Sequence, residues 1–155
     1  MTQVLWSDIV IVISAGQFTI NGRTFQYIYD TGFANEFQKY EKKCSDIGLR
    51  LYEPRNDNTY NSVKNWIQRN SNIIDPDFLW IGIELDNANK GSYLSDGTTI
   101  TFEEWGPDQP NNKNHACVTM AKEHNLKWVD TSCSRSGRQE TVGAICASPE
   151  GKSNF

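Results

Sequence analysis

The sequence predicts an α+β domain, and three observations carry that reading. Two amphipathic helical stripes fall in the first half of the chain. A short apolar run from Phe78 to Leu85 follows and reads as a buried strand. Beyond it the chain breaks into small antiparallel strand-like pieces separated by a long loop region, with three of the four cysteines among them. At 155 residues there is room for one core and a second would be cramped. Hydrophobic residues at 37%, with five Trp, six Tyr and seven Phe, supply enough apolar mass to argue against disorder.

Taken in order, residues 1–16 form an N-terminal extension or strand that includes the apolar stretch Val4 to Ile13. The domain itself spans 17–148, and 149–155 is a tail. From Gln17 to Tyr29, Phe18 and Ile20 precede an Asn21-Gly22 turn signal, and Phe25, Tyr27 and Tyr29 alternate after it, so a β-hairpin is expected. Phe33, Phe37, Tyr40 and Cys44 recur at helical spacing, with Gly48 just beyond, so a helix should end near Ile47. A second helix, capped by Asp57 or Asn58, carries Tyr60, Val63, Trp66 and Ile67 on one face and ends around Arg69 to Asn70. Turn formers dominate from Asp86 to Asn114, interrupted by strand-like Ser92 to Leu94 and Thr99 to Phe102. Ala116 to Ala121, Lys127 to Asp130 and Val142 to Ala147 close the chain as three strands. A loop-rich stretch that long in a compact domain is usually functional, because something other than secondary structure must hold its backbone.

A net charge of -4 without a basic cluster gives a nucleic-acid backbone nothing to bind. No apolar run approaches the roughly 20 residues that span a bilayer. Asp8 interrupts the only apolar stretch near the start, so a mature rather than a precursor chain is expected. Four cysteines without a Cys-x-x-Cys pair argue for two disulfides over zinc or thiol redox chemistry, and hence for an oxidising, extracellular setting; three pairings are open. His115 and His124 are the only histidines and no nucleophile is placed beside either, so an enzyme is not expected.

Cys44, Trp80-Ile81-Gly82, Trp105, Gln109-Pro110-Asn111, Cys117, Trp128-Val129-Asp130, Cys133 and Cys146, read in that order, resemble the signature of C-type lectin domains. The resemblance implies a C-type lectin-like fold in which Cys44 pairs with Cys146 and Cys117 with Cys133. It also implies a calcium-dependent, secreted carbohydrate-binding protein. The primary calcium site it implies would draw on Gln109, Asn111 and Asp130, with sugar contacts from Gln109, Asn111, His115 and Asp130. A cis bond before Pro110 is expected. His115 stands where the family carries an acid, and Val129 where it carries Asn, which leaves one formal negative charge and implies a weak Ca²⁺ site, on the order of 10⁻⁴ to 10⁻³ M. Of the family's auxiliary calcium site only Asp86 remains, Lys90, Asn112 and Ala116 filling the other positions, so that site is expected to be absent.

A sugar hydroxyl on the ion would accept from one amide and donate to one acceptor. Gln109 and Asn111 supply amides; Asp130 and a neutral His115 are the acceptors, and binding through His115 would weaken on acidification. Gln at the first motif position favours galactose or N-acetylgalactosamine, and Asn at the third is the mannose-type residue, so the motif is mixed with a lean to galactose. Trp105 and Trp128 are expected in the core. Lone sugar sites are weak, so a homo-oligomer is one way to add avidity, with the apolar segment from Val4 to Ile13 as either an interface strand or an internal edge strand. The rival reading is a calcium-independent lectin-like domain that binds a protein or another surface such as ice.

Overall fold

A computed structural model describes residues 16–29, 36–72, 74–86, 91–112, 114–134 and 142–149. Phe33, Lys90 and the Val4 to Ile13 stretch lie outside these residues, as do residues 150–155 of the tail and all but Gly16 of the extension.

The predicted hairpin is present as β1 (Gln17–Ile20) and β2 (Arg23–Tyr29), turning through Asn21 and Gly22, both at positive φ, the conformation a tight two-residue turn needs. Helix α1 (Phe37–Asp46) buries Phe37, Tyr40 and Cys44 and closes at Ile47, with Gly48 at φ 80°. Helix α2 (Asp57–Arg69) buries Tyr60, Val63 and Ile67, while Trp66 lies half-buried against Phe18 with ring centroids 4.0 Å apart. Its cap is Asn56, one residue earlier than expected: the Asn56 side chain accepts the Thr59 backbone N–H at 2.9 Å.

The remaining strands are β3 (Arg50–Leu51), β4 (Phe78–Leu85), β5 (Ser92–Tyr93), β6 (Cys117–Ala121), β7 (Lys127–Thr131) and β8 (Val142–Ala147). In place of separate small antiparallel sheets they form one mixed sheet in the order β1-β2-β8-β4-β6-β7, with β3 added on β8 and β5 on β4. All pairings are antiparallel except β4 with β8, where Phe78, Leu79 and Trp80 lie beside Val142, Gly143 and Ala144. The expected strand from Thr99 to Phe102 is reduced to one bridge between Tyr93 and Thr99. Its alternation is explained by packing: Ile100 is buried and Phe102 lies against the core, with no ladder between them.

One hydrophobic cluster joins α2 to the sheet through Tyr60, Leu79, Ile81, Met120, Trp128 and Ile145. A second packs α1 on the other side through Phe37, Tyr40 and Trp80. The disulfides pair Cys44 with Cys146 and Cys117 with Cys133, as the resemblance implied. The first ties α1 to β8, across 102 residues of chain. The second closes a loop of 16 residues below the long-loop region.

Candidate functional site

Strand β7 ends the sheet, so β6 pairs with only one of its edges and the other presents backbone groups that need partners. The long loop supplies them. Glu104 gives its carbonyl to the Trp128 N–H at 2.8 Å, and Gly106 donates its N–H to the Trp128 carbonyl at 2.8 Å. Trp128 is fully buried and Trp105 half-buried beside it, their rings edge to face at 5.4 Å, so both tryptophans belong to the packing, as expected.

Two residues further along β7, side chains take over that role. The Asp130 N–H points at Gln109 Oε1 at 3.4 Å, and His115 Nδ1 lies 3.2 Å from the Asp130 carbonyl oxygen. The Asp130 carboxylate turns under the loop, where Oδ1 accepts the Asn111 backbone N–H at 3.2 Å and Oδ2 the Asn112 backbone N–H at 2.8 Å. Hydrogen bonds to an ionised group are worth on the order of 1.5–3 kcal/mol, so these two hold the loop firmly. Just before them in the chain, Gln109 and Pro110 are joined by the cis bond the motif implied, and Asp108 sits at φ 62°.

Asn112 knits the far side of the loop. Its Oδ1 accepts the Asn114 N–H at 2.9 Å, which turns its amide nitrogen toward His115 Nε2 at 3.3 Å; its carbonyl accepts the His115 N–H at 2.9 Å. The structure therefore brings Gln109, Asn111, His115 and Asp130 together, and adds Asn112, which the sequence marks only as filling an auxiliary-site position. The Asn-Asn pair after Pro110 was the available signal, since such residues fold loops back on themselves.

The donor chemistry of this arrangement does not fit a calcium ion. Calcium takes about six to eight oxygens and gains affinity from ligand charge. The single carboxylate has a side chain with no exposed surface and already accepts two backbone N–H groups. Gln109 Oε1 faces the β7 edge, Val129 is buried and brings no side-chain oxygen, and His115 replaces an acid. Among the described residues no three His, Cys, Asp or Glu side chains lie close enough together to hold a metal.

A cleft of about 650 Å³ lies elsewhere, between α1, β3 and β4, lined by Phe37, Glu41, Leu51, Gly82 and Glu84 among others. Burial, then the nearby Glu84, raises the Glu41 carboxyl above its ordinary range. That cleft holds none of Gln109, Asn111, His115 and Asp130, which converge at the loop instead.

Two helices on one mixed sheet, nested disulfides and a long loop laid along the outer strand define a C-type lectin-like fold. The family described as Lectin C-type domain matches residues 34–142, and the chain belongs to it; this is a family of lectin domains, not of enzymes. Among relatives, the chain is 26% identical over 120 residues to the alpha-N-acetylgalactosamine-specific lectin of Patiria pectinifera, covering 75% of this chain and 71% of that protein. It is 34% identical over 95 residues to the mannose-binding protein of Gallus gallus, covering 60% of this chain and only 34% of that longer protein. Among solved structures, human lithostathine superposes with a TM-score of 0.69 at 17% identity, covering 86% of this chain and 97% of that one. Among the described residues no helix is long and apolar enough to cross a membrane.

Proposed function

We propose that this chain is a secreted carbohydrate-binding domain that takes a galactose-type sugar on the loop face carrying Gln109, Asn111 and His115. The observation that carries the reading is the convergence of these residues on Asp130, over 22 residues of chain from Gln109 to Asp130, into one polar network at the sheet edge. With Gln109 Oε1 turned to β7, its amide N–H groups face away from the strand, and the exposed Asn111 side chain offers both a donor and an acceptor. Those are the groups a sugar hydroxyl pairs with. Gln at the first motif position supports galactose or N-acetylgalactosamine, as does the likeness to the alpha-N-acetylgalactosamine-specific lectin; Asn111 and the likeness to the mannose-binding protein support mannose. We favour galactose. A lone face of this kind binds weakly, and assembly into a homo-oligomer would raise its apparent affinity by roughly 10² to 10⁴.

A second reading, a lectin-like domain for a protein or other surface, is favoured by one observation: the Asp130 carboxylate is spent on the loop's own backbone rather than presented to a ligand. Retention on immobilised galactose and mannose, each with calcium and with a chelator, separates the two. Retention on galactose, lost in the Gln109→Ala/Asn111→Ala double variant, is the expected result. No retention on either sugar would overturn the lectin reading and leave the second.

A further inference from the structure

The loop contacts described above meet in one residue. Asp130 offers three polar groups away from β6, namely its N–H, its carbonyl and its carboxylate, and the loop answers each of them from positions 109, 111, 112 and 115. A carboxylate with no exposed surface is costly unless its oxygens are hydrogen-bonded, and here two successive backbone amides meet that need. Those amides belong to the residues on either side of the Asn111–Asn112 peptide, at the apex of the proposed sugar face.

We propose that Asp130 is the positioning residue of this loop, its carboxylate holding Asn111 and Asn112 from beneath as a built-in anion, so that the ligand face is formed without calcium. The proposal deepens the reading of the loop as a sugar face and rests on it for its functional meaning. Its physical content is independent of any sugar. A divalent ion organises a loop by drawing oxygens inward; here a buried anion organises the same stretch by drawing N–H groups inward, and with no exposed surface on the Asp130 side chain an ion has no open approach to its remaining lone pairs. Calcium addition should therefore neither tighten the loop nor stabilise the fold, since a ligand stabilises only a state that binds it.

The test is amide hydrogen exchange, read residue by residue by NMR on the whole chain, in chelator and in roughly 10 mM calcium, above the range of the weakest extracellular sites. We expect the Asn111 and Asn112 amides to exchange about tenfold or more slowly than unbonded loop amides, equally in both conditions, as charge-assisted hydrogen bonds demand. Amides that exchange freely in chelator and slow only with calcium would overturn the proposal and make Asp130 a metal ligand. Asp130→Asn keeps the shape but removes the charge, and should speed exchange at Asn112 by about tenfold while leaving β8 amides unchanged. Equal acceleration in β8 would show that Asp130 supports the whole fold instead of positioning the loop. Should that variant not fold, the comparison of the natural chain in the two buffers decides alone. Because no sugar enters the experiment, a failure on the sugar columns leaves its outcome untouched.

Discussion

Tyr60 on α2 donates its hydroxyl hydrogen to the carbonyl oxygen of Leu126, the second of two successive residues at positive φ that turn the chain into β7. The bond is buried, and the Tyr60 ring packs edge-on against Phe102 at 5.6 Å and Trp128 at 6.1 Å. One side chain thus fixes α2, the middle of the long-loop region and the strand that carries Asp130. Tyr60→Phe keeps the packing and leaves the Leu126 carbonyl without this donor, so it should cost about 1–3 kcal/mol. Urea unfolding monitored by tryptophan fluorescence measures it, and a variant as stable as the parent would show that water replaces the hydroxyl.

The same burial makes the fold sensitive to base. Desolvation by burial, with Tyr52 and Glu104 nearby, pushes Tyr60 well above the ordinary phenol value, and burial does the same to Tyr27. A phenol whose folded pKa is raised contributes stability that is whole below about pH 10 and is lost as the pH climbs further, because the unfolded chain releases its proton first. For Tyr60 the slope should be roughly 1.4 kcal/mol per pH unit in that window. Unfolding free energies measured across it should fall for the parent and fall less steeply for Tyr60→Phe.

Gly143 sits in β8 opposite Tyr29, where a Cβ would come within 2.7 Å of the Ile28 carbonyl oxygen and 2.9 Å of a Tyr27 ring carbon. Backbone cannot yield there without spreading β2 from β8. Gly143→Ala should therefore destabilise by about 1–3 kcal/mol, the cost of overpacking a filled site. Thermal unfolding checks it; an unchanged melting temperature would mean that the strands part at little cost.

His115 faces a carbonyl oxygen with Nδ1 and an amide nitrogen with Nε2. The first only accepts and the second only donates, so both are satisfied by a neutral imidazole carrying its proton on Nδ1. Long-range nitrogen–proton NMR at neutral pH should report that tautomer, and the Nε2-protonated form would contradict the network. His115→Ala should loosen the loop by about 0.5–1.5 kcal/mol, the net worth of an ordinary hydrogen bond.

The elements legible in the sequence were those with a hydrophobic period. Tyr60, Val63 and Ile67 announce α2, and the run from Phe78 to Leu85 is β4 to the residue. The cap lies one position before the expected one because Asn56, Asp57 and Asn58 are all good caps, and only the backbone angle at Asn56 selects it. Ile100 and Phe102 alternate like a strand while only filling the core, which periodicity cannot distinguish. The parallel contact of β4 with β8 joins segments more than 60 residues apart and leaves no local trace. At the site, Gln109, Asn111, His115 and Asp130 were legible as a motif. The inward turn of Asp130 and the part played by Asn112 were not, because both depend on backbone N–H groups, which every residue but proline carries.

Strand β8, wholly buried, is shared by β2, β3 and β4 and is bolted to α1. During synthesis those earlier segments leave the ribosome with their shared neighbour still unmade. The domain has no halfway stage in which its first half stands finished: hairpin, helices and central strand must wait, apolar faces uncovered, until Val142 to Ala147 arrive. Folding of this domain thus waits on its last strand, and truncating it anywhere before Cys146 should yield no smaller folded piece but an aggregation-prone chain.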